Sequence, residues 1–219
     1  MKKEYMQQYY NELKEKYKVM YLISPNTKVI FILESPHIDE LLNQAPVSGL
    51  SGKAMSKVIF NNTEKEALGK VLKREFEEEK EDYGRIGIMN ICSIPMQRIA
   101  YTNSDVVKMY GEFNSERYAA FFDILEKLRT GTRLIYRDEK RNDLQSIVLD
   151  DFVQALEELK GRNILFIPCG KTAETFLKAA NLTHDKWEVM NNIPHPSFGN
   201  WYKSKYSSEI EELKSRLLF

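Results

Sequence analysis

The chain has 219 residues, enough for one domain with a substantial core, and Lys plus Arg balance Asp plus Glu at 32 each. A formal charge of zero argues against an all-round basic coat for nucleic acid but leaves room for a local patch. Cys92 and Cys169 sit in or at the end of apolar runs and read as buried free thiols. No apolar run approaches the ~20 residues of a membrane span and the charged N-terminus does not suit a signal peptide, so a cytoplasmic protein is expected.

In chain order, residues 2–18 place Tyr5, Tyr9, Leu13 and Tyr17 at helical spacing, which predicts an amphipathic helix. Residues 28–33 form a short, mostly β-branched or aromatic run, a buried strand. It ends on Glu34, Ser35, Pro36 and His37, and the loop continues to Gly52. Helices are expected over 54–60 and 63–80, then a second strand over 85–91 that carries Asn90 near its end. Pro95, Gln97 and Arg98 fall in a loop, and 114–128 reads as a helix with Phe121, Leu125 and Leu128 on one side. The polar stretch 130–142 lies among Arg129, Arg133, Arg137, Lys140 and Arg141 and is read first as a solvated loop, with DNA-phosphate contact as the second reading.

A helix over 143–160 is stopped by Gly161, and a third strand over 163–167 leads through Pro168-Cys169-Gly170 into a helix over 172–180. Trp187–Met190 is a short fourth strand, and His195-Pro196-Ser197 follows before a last helix over 206–217. Strands alternating with helices predict one α/β domain: three layers, α/β/α, around a mainly parallel sheet of about four strands. Neither a repeat nor a linker divides the chain. In such sheets, ligands bind beyond the carboxyl ends of the strands, where the polar loops 34–52 and 193–200 and Asn90 should meet.

Simple motifs fail. Gly49 to Lys53 lacks the spacing and the hydroxyl of a phosphate loop, Cys169 has no downstream arginine of a phosphatase signature, and the histidines lack zinc-ligand spacing. The ordered combination instead resembles the uracil-DNA glycosylase superfamily. Glu34-Ser35-Pro36-His37 with Glu40, then Pro46-Val47-Ser48-Gly49-Leu50-Ser51-Gly52, is similar to the bacterial and archaeal family-four enzymes, which carry Gly-Glu-Ala-Pro-Gly, a Glu three residues on, and Pro-Phe-x-Gly-x-x-Gly. Asn90 matches the strand asparagine that reads the flipped base. Phe166 to Ala173 resembles the third strand and its glycine turn, and His195-Pro196-Ser197 matches the closing motif. The likeness spans about residues 28–200.

The resemblance implies a DNA glycosylase that hydrolyses the bond between the sugar and a flipped uracil or modified base. Glu34, Ser35 and His195 are then the catalytic candidates. Glu34 would oppose the cationic sugar, Ser35 would position water, and His195 would donate to the departing base. Pro36, His37, Val47, Gly49, Asn90 and Ser197 would line the substrate pocket. Lys53, Lys171, Phe198 and Trp201 would contact DNA, within a basic patch drawn from Lys53, Lys57, Arg98, Lys171 and Lys203. No cofactor or metal is expected: two cysteines cannot build the four-thiolate cluster of family four. The sequence also departs from the pattern at Leu33 and His37, where the family has glycines, at Val47, where it has a stacking phenylalanine, and at Gly199-Asn200, where many members carry a leucine wedge. Phe198 or Trp201 could serve as wedge. Two other readings stay open: a silent nucleic-acid- or protein-binding member of the fold, and a hydrolase of free nucleosides or nucleotides.

Overall fold

The computed structural model describes residues 1–61, 64–78, 84–98 and 111–217. Four strands make one parallel sheet in the order β2-β1-β3-β4, with β1 at Val29–Leu33, β2 at Ile86–Asn90, β3 at Ile164–Pro168 and β4 at Trp187–Val189. The central strand β1 is buried at every position. Its side chains alternate between two cores, as the two-residue period of a strand requires. Ile30 and Ile32 join Met89, Ile164 and Phe166 on one face, while Val29, Phe31 and Leu33 join Ile86, Ile88 and Ile167 on the other.

Helices cover both faces. On the first lie α1 (Lys3–Tyr17), α5 (Glu116–Arg129), α6 (Glu139–Glu157) and α7 (Lys171–Ala180); on the second lie α3 (Leu50–Ile59), α4 (Leu68–Glu77) and α8 (Ser207–Leu217). A six-residue helix, α2 (Ile38–Asn43), lies inside the first polar loop. The outer edge of β2 is met by Leu22, which exchanges both backbone hydrogen bonds with Ile88. That contact covers the middle of an edge that could otherwise pair with another chain.

The expected strands and parallel order stand, with no end moved by more than one residue. Several details differ. The buried stripe of α1 is Met6, Tyr10, Leu13 and Tyr17, and Tyr5 points to solvent. Helix α3 begins at Leu50 rather than near Ala54, because Gly49 can serve as its N-cap and Gly52 fits inside it. Position 52 needs glycine: a Cβ there would lie 1.6 Å from the Val47 carbonyl oxygen. The expected helix over 63–80 is seen as Leu68–Glu77, and its predicted end residues lie outside the described ones. Helix α6 opens at Glu139, capped by the Asp138 side chain on the Lys140 N–H, so the polar stretch is shorter than its composition suggests. Among the described residues no helix is long and apolar enough to cross a membrane.

Candidate active site

Three parallel strands deliver the sequence-predicted residues to the same end of the sheet. Leu33 and Asn90 are register partners at the ends of β1 and β2. One residue on, the Glu34 carbonyl accepts from the Cys92 N–H at 3.1 Å, so the ladder fixes the Glu34 backbone beyond the strand. At the end of β3, the Cys169 N–H still bonds to Ile32, and the Gly170 N–H donates to Ile193 at 2.8 Å. This turn brings in His195: a Cβ on Gly170, whose φ is +92°, would lie 3.1 Å from the Cβ of His195.

Arg129, the last residue of α5, brings a cation to this site. Its Nη1 stands 3.3 Å from Glu34 Oε1, and both side chains are largely buried. With its amide turned to accept, Gln97 receives Arg129 Nε at 3.1 Å and Nη1 at 2.7 Å. Thr172 Oγ1 donates to the Arg129 carbonyl at 2.9 Å, tying the end of α5 to the start of α7. Burial raises the Glu34 carboxyl above its ordinary value, and Arg129 draws it back toward ionisation. The same guanidinium acts with burial to lower His195, and with partial desolvation to lower the more exposed His37 against the pull of Asp39. In the sequence Arg129 belongs to the arginine- and lysine-rich cluster expected to be solvated. Its helix-end position carried no signal that distinguished it from the other arginines.

The His195 ring has an assigned direction. Nδ1 lies 2.8 Å from Ser197 Oγ and accepts the Ser197 backbone N–H at 3.2 Å. An Nδ1 that accepts a backbone donor leaves the ring proton on Nε2 in the neutral form. Burial, helped by Arg129, lowers this imidazole to about 4, so it is neutral near pH 7. Ser197 therefore orients the histidine.

Asn90 is 1% exposed, and neither its amide oxygen nor its nitrogen has a hydrogen-bond partner among the described residues. A buried amide with both ends unpaired is costly, and such groups concentrate where a ligand completes them. Its amide approaches the Glu40 carboxylate from beyond ordinary hydrogen-bond distance and, as a weak donor, favours the charged form. Glu40 has a separate task, unrecognised in the sequence. Its oxygens accept from the backbone N–H groups of His37 and Val47, both at 2.6 Å, pinning the start of α2 to the following loop. Burial nonetheless pushes Glu40 up to about 7, against the pull of those donors.

Val47 is held with φ at +46°, a left-handed conformation that a β-branched residue adopts only under constraint. Its N–H is fixed by Glu40 and its carbonyl accepts from Gly69 at 3.3 Å. Its side chain is buried in the second core, so it shapes the loop from beneath. Gly49 packs on Asp39, where a Cβ would lie 2.4 Å from Oδ2. Ser35 is half-buried beside Glu34, Pro36 is buried, and His37 is exposed at the N-cap of α2.

The expected DNA-contacting residues divide. Lys53 and Lys57 are exposed on α3. Phe198, immediately after the His-Pro-Ser motif, is 90% exposed with φ at +55°. Leu50, at the start of α3, is 82% exposed. Trp201 is not at the surface: it is buried against Phe31, and its indole N–H donates to Pro194 at 2.7 Å. Lys171 is engaged with Glu174 at 2.8 Å, and Lys203 donates to Asn200 at 2.7 Å. The Arg98 backbone N–H is held by Glu126.

The lowered His195 has a measurable consequence. An unfolded histidine near pH 6.5 binds a proton that the folded one refuses until about pH 4, so stability falls as pH drops through that window. His195→Gln removes this contribution. Between pH 7 and pH 4, wild type should lose roughly 1–3 kcal/mol relative to the variant, read by urea unfolding. Glu40 shifts in the opposite sense, with stability falling as pH rises toward 7, but it is common to both proteins and cancels. Parallel stability curves would show that His195 titrates normally.

No protein-family model matches this chain, and no curated protein matches it either.

Proposed function

We propose that this protein is a DNA N-glycosylase, akin to the uracil-DNA glycosylases, that hydrolyses the bond between deoxyribose and a flipped uracil or modified base in base-excision repair. The observation that carries the reading is the buried amide of Asn90, which makes no full hydrogen bond among the described residues and has only a weak approach to Glu40. It lies at the same sheet end as a neutral histidine with its Nε2–H available and a carboxylate held by Arg129. An amide offers a donor and an acceptor to one edge of a pyrimidine. Excision asks for the other two groups: the leaving base gains negative charge, which an imidazole N–H stabilises, and the sugar gains positive charge, which Glu34 opposes.

In this mechanism the C1′–N bond breaks and water adds its oxygen to C1′. The base leaves as an anion held by His195 and then takes a proton. Glu34 acts through its charge, and half-buried Ser35 helps to place the water. Phe198 and Leu50 are the candidate wedges at a strand, since both are exposed apolar side chains on segments that pack together, as the Tyr202 hydroxyl on the Ala54 carbonyl attests. Lys53 and Lys57 supply phosphate contacts nearby.

The test is a panel of single- and double-stranded oligonucleotides, each with one uracil or modified base, scored for abasic sites, with free nucleosides and nucleotides in parallel. Abasic sites in strands are expected. Turnover of the small substrates alone would favour a nucleoside hydrolase, and no turnover anywhere would favour a binding module. On the best substrate, Asn90→Asp should change the ratio of rates between bases by tenfold or more, because part of its donor pattern becomes acceptor. An unchanged ratio would remove Asn90 from base reading.

A further inference from the structure

Away from this end of the sheet, the segment that follows Arg129 builds a second site. A cavity of about 510 Å³ opens between the end of α5 and the start of α6, and Lys127, Arg133, Tyr136, Arg137 and Arg141 line it. The stretch is held in shape. Asn142 pairs with both the N–H and the carbonyl of Tyr136, at 2.7 and 2.9 Å, and Gln145 donates to the Arg133 carbonyl at 3.2 Å. Arg141 lies 3.9 Å above the Tyr136 ring and donates to the Lys127 carbonyl at 2.5 Å. The stretch is exposed, as its composition predicts, but it is held in a fixed shape.

Two donors in this wall are unused. Tyr136 is only 7% exposed, and its hydroxyl has no partner among the described residues; neither does the buried Nε of Arg141. The hydroxyl packs against Gly131, where a Cβ would stand 2.0 Å from it and 2.7 Å from Arg141 Nη2, so glycine is what lets the ring and the guanidinium sit this close to the backbone; a small shift of the exposed wall would open both donors to the cavity. Four cations face the cavity against one carboxylate, Asp138, whose side chain is occupied in capping α6. The guanidinium groups of Arg133 and Arg137 form no ion pair among the described residues, and both residues are exposed.

We propose that this cavity binds a phosphate ester. Directional donors recessed among cations suit a tetrahedral anion with several acceptor oxygens, and arginine forks match its geometry. Exposed Leu134 and Ile135 beside the cavity can carry the sugar or base attached to the phosphate. Those two side chains with the arginines could also suit an anionic membrane, but a lipid surface gives no reason for a recessed tyrosine hydroxyl. The ester comes from a nucleic-acid strand or from a free nucleotide, and the chemistry of the two is shared. The site stands on its own donors, and excision plays no part in its test.

The experiment uses the full chain at low salt, with a fluorescent single-stranded oligonucleotide of undamaged bases, inorganic phosphate, adenosine monophosphate and phosphatidylserine vesicles. Oligonucleotide binding displaced by phosphate identifies a strand as the source. Binding of phosphate and the monophosphate without the strand identifies a small ester. For whichever binds, Arg133→Ala with Arg137→Ala should weaken affinity about tenfold, and for a strand should reduce the salt slope of log K by about two. Tyr136→Phe should weaken it at least about threefold with no fall in Tm, since the hydroxyl has no protein partner to lose. The proposal is overturned by binding that none of these substitutions changes, by vesicle binding alone, or by no binding of any phosphate ester.

Discussion

Replacing His195 by alanine is expected to lower the single-turnover rate of excision by roughly ten- to a thousand-fold while changing affinity for the substrate strand only a few-fold. The asymmetry follows from when the imidazole matters. A neutral base carbonyl asks little of a hydrogen-bond donor, whereas the departing anion asks much more, so the interaction strengthens toward the transition state. The structure places the proton on the ring atom left free, because Ser197 donates its backbone N–H to Nδ1. Ser197→Ala keeps that backbone donor and loses only the hydroxyl at 2.8 Å, so its effect should be much smaller. Because burial holds His195 neutral down to about pH 4, the wild-type rate should show no limb from its titration between pH 5 and 8. Quenched-flow excision with strand binding measured in parallel checks this. Equal rates for wild type and His195→Ala would remove the residue from the chemistry.

Arg129→Ala is expected to lower excision at pH 7 by about tenfold or more, and to restore much of the loss at higher pH. Arg129 does not contact the reacting atoms in this account; it positions Glu34 and sets its charge. Burial already raises the Glu34 carboxyl, and the guanidinium is what opposes that rise. Without it the carboxyl titrates at higher pH. A rate that needs the carboxylate falls as pH falls through that value, so the acid limb of the profile should move upward. Arg129→Lys keeps the charge but loses the fork onto Gln97, so its limb should stay near that of wild type while the rate drops modestly. Glu34→Gln should abolish the limb altogether. A profile with the same acid limb in wild type and Arg129→Ala would break the link between the two residues.

The sheet was legible because its strands are short, apolar and separated by helical periods, which leaves few topologies for a parallel arrangement. Glu34, Asn90 and His195 were legible for the same reason: each sits at or just beyond an apolar run, so the topology alone carries them to one end. Arg129 was hidden because one arginine among several looks alike until α5 is docked on the sheet. Glu40 was hidden because its role is played against backbone N–H groups, which leave no trace in side-chain spacing. Trp201 misled for a related reason. An indole beside a polar motif suggests a stacking platform, but Phe31 and the Pro194 carbonyl give it a better place inside. The strain at Val47 is likewise set by Glu40 and by glycines at 52 and 69, which admit the carbonyls of Val47 and Pro46.

The most direct test of glycosidic hydrolysis at this site follows the oxygen of water. The best substrate from the base panel is incubated with the protein in 18O-enriched water, and the products are weighed by mass spectrometry. Unlabelled free base and an abasic strand carrying one 18O at C1′ are expected, both formed roughly ten- to a thousand-fold more slowly by His195→Ala. Label on the released base or on phosphate, or no consumption of any strand, would contradict glycosidic hydrolysis here.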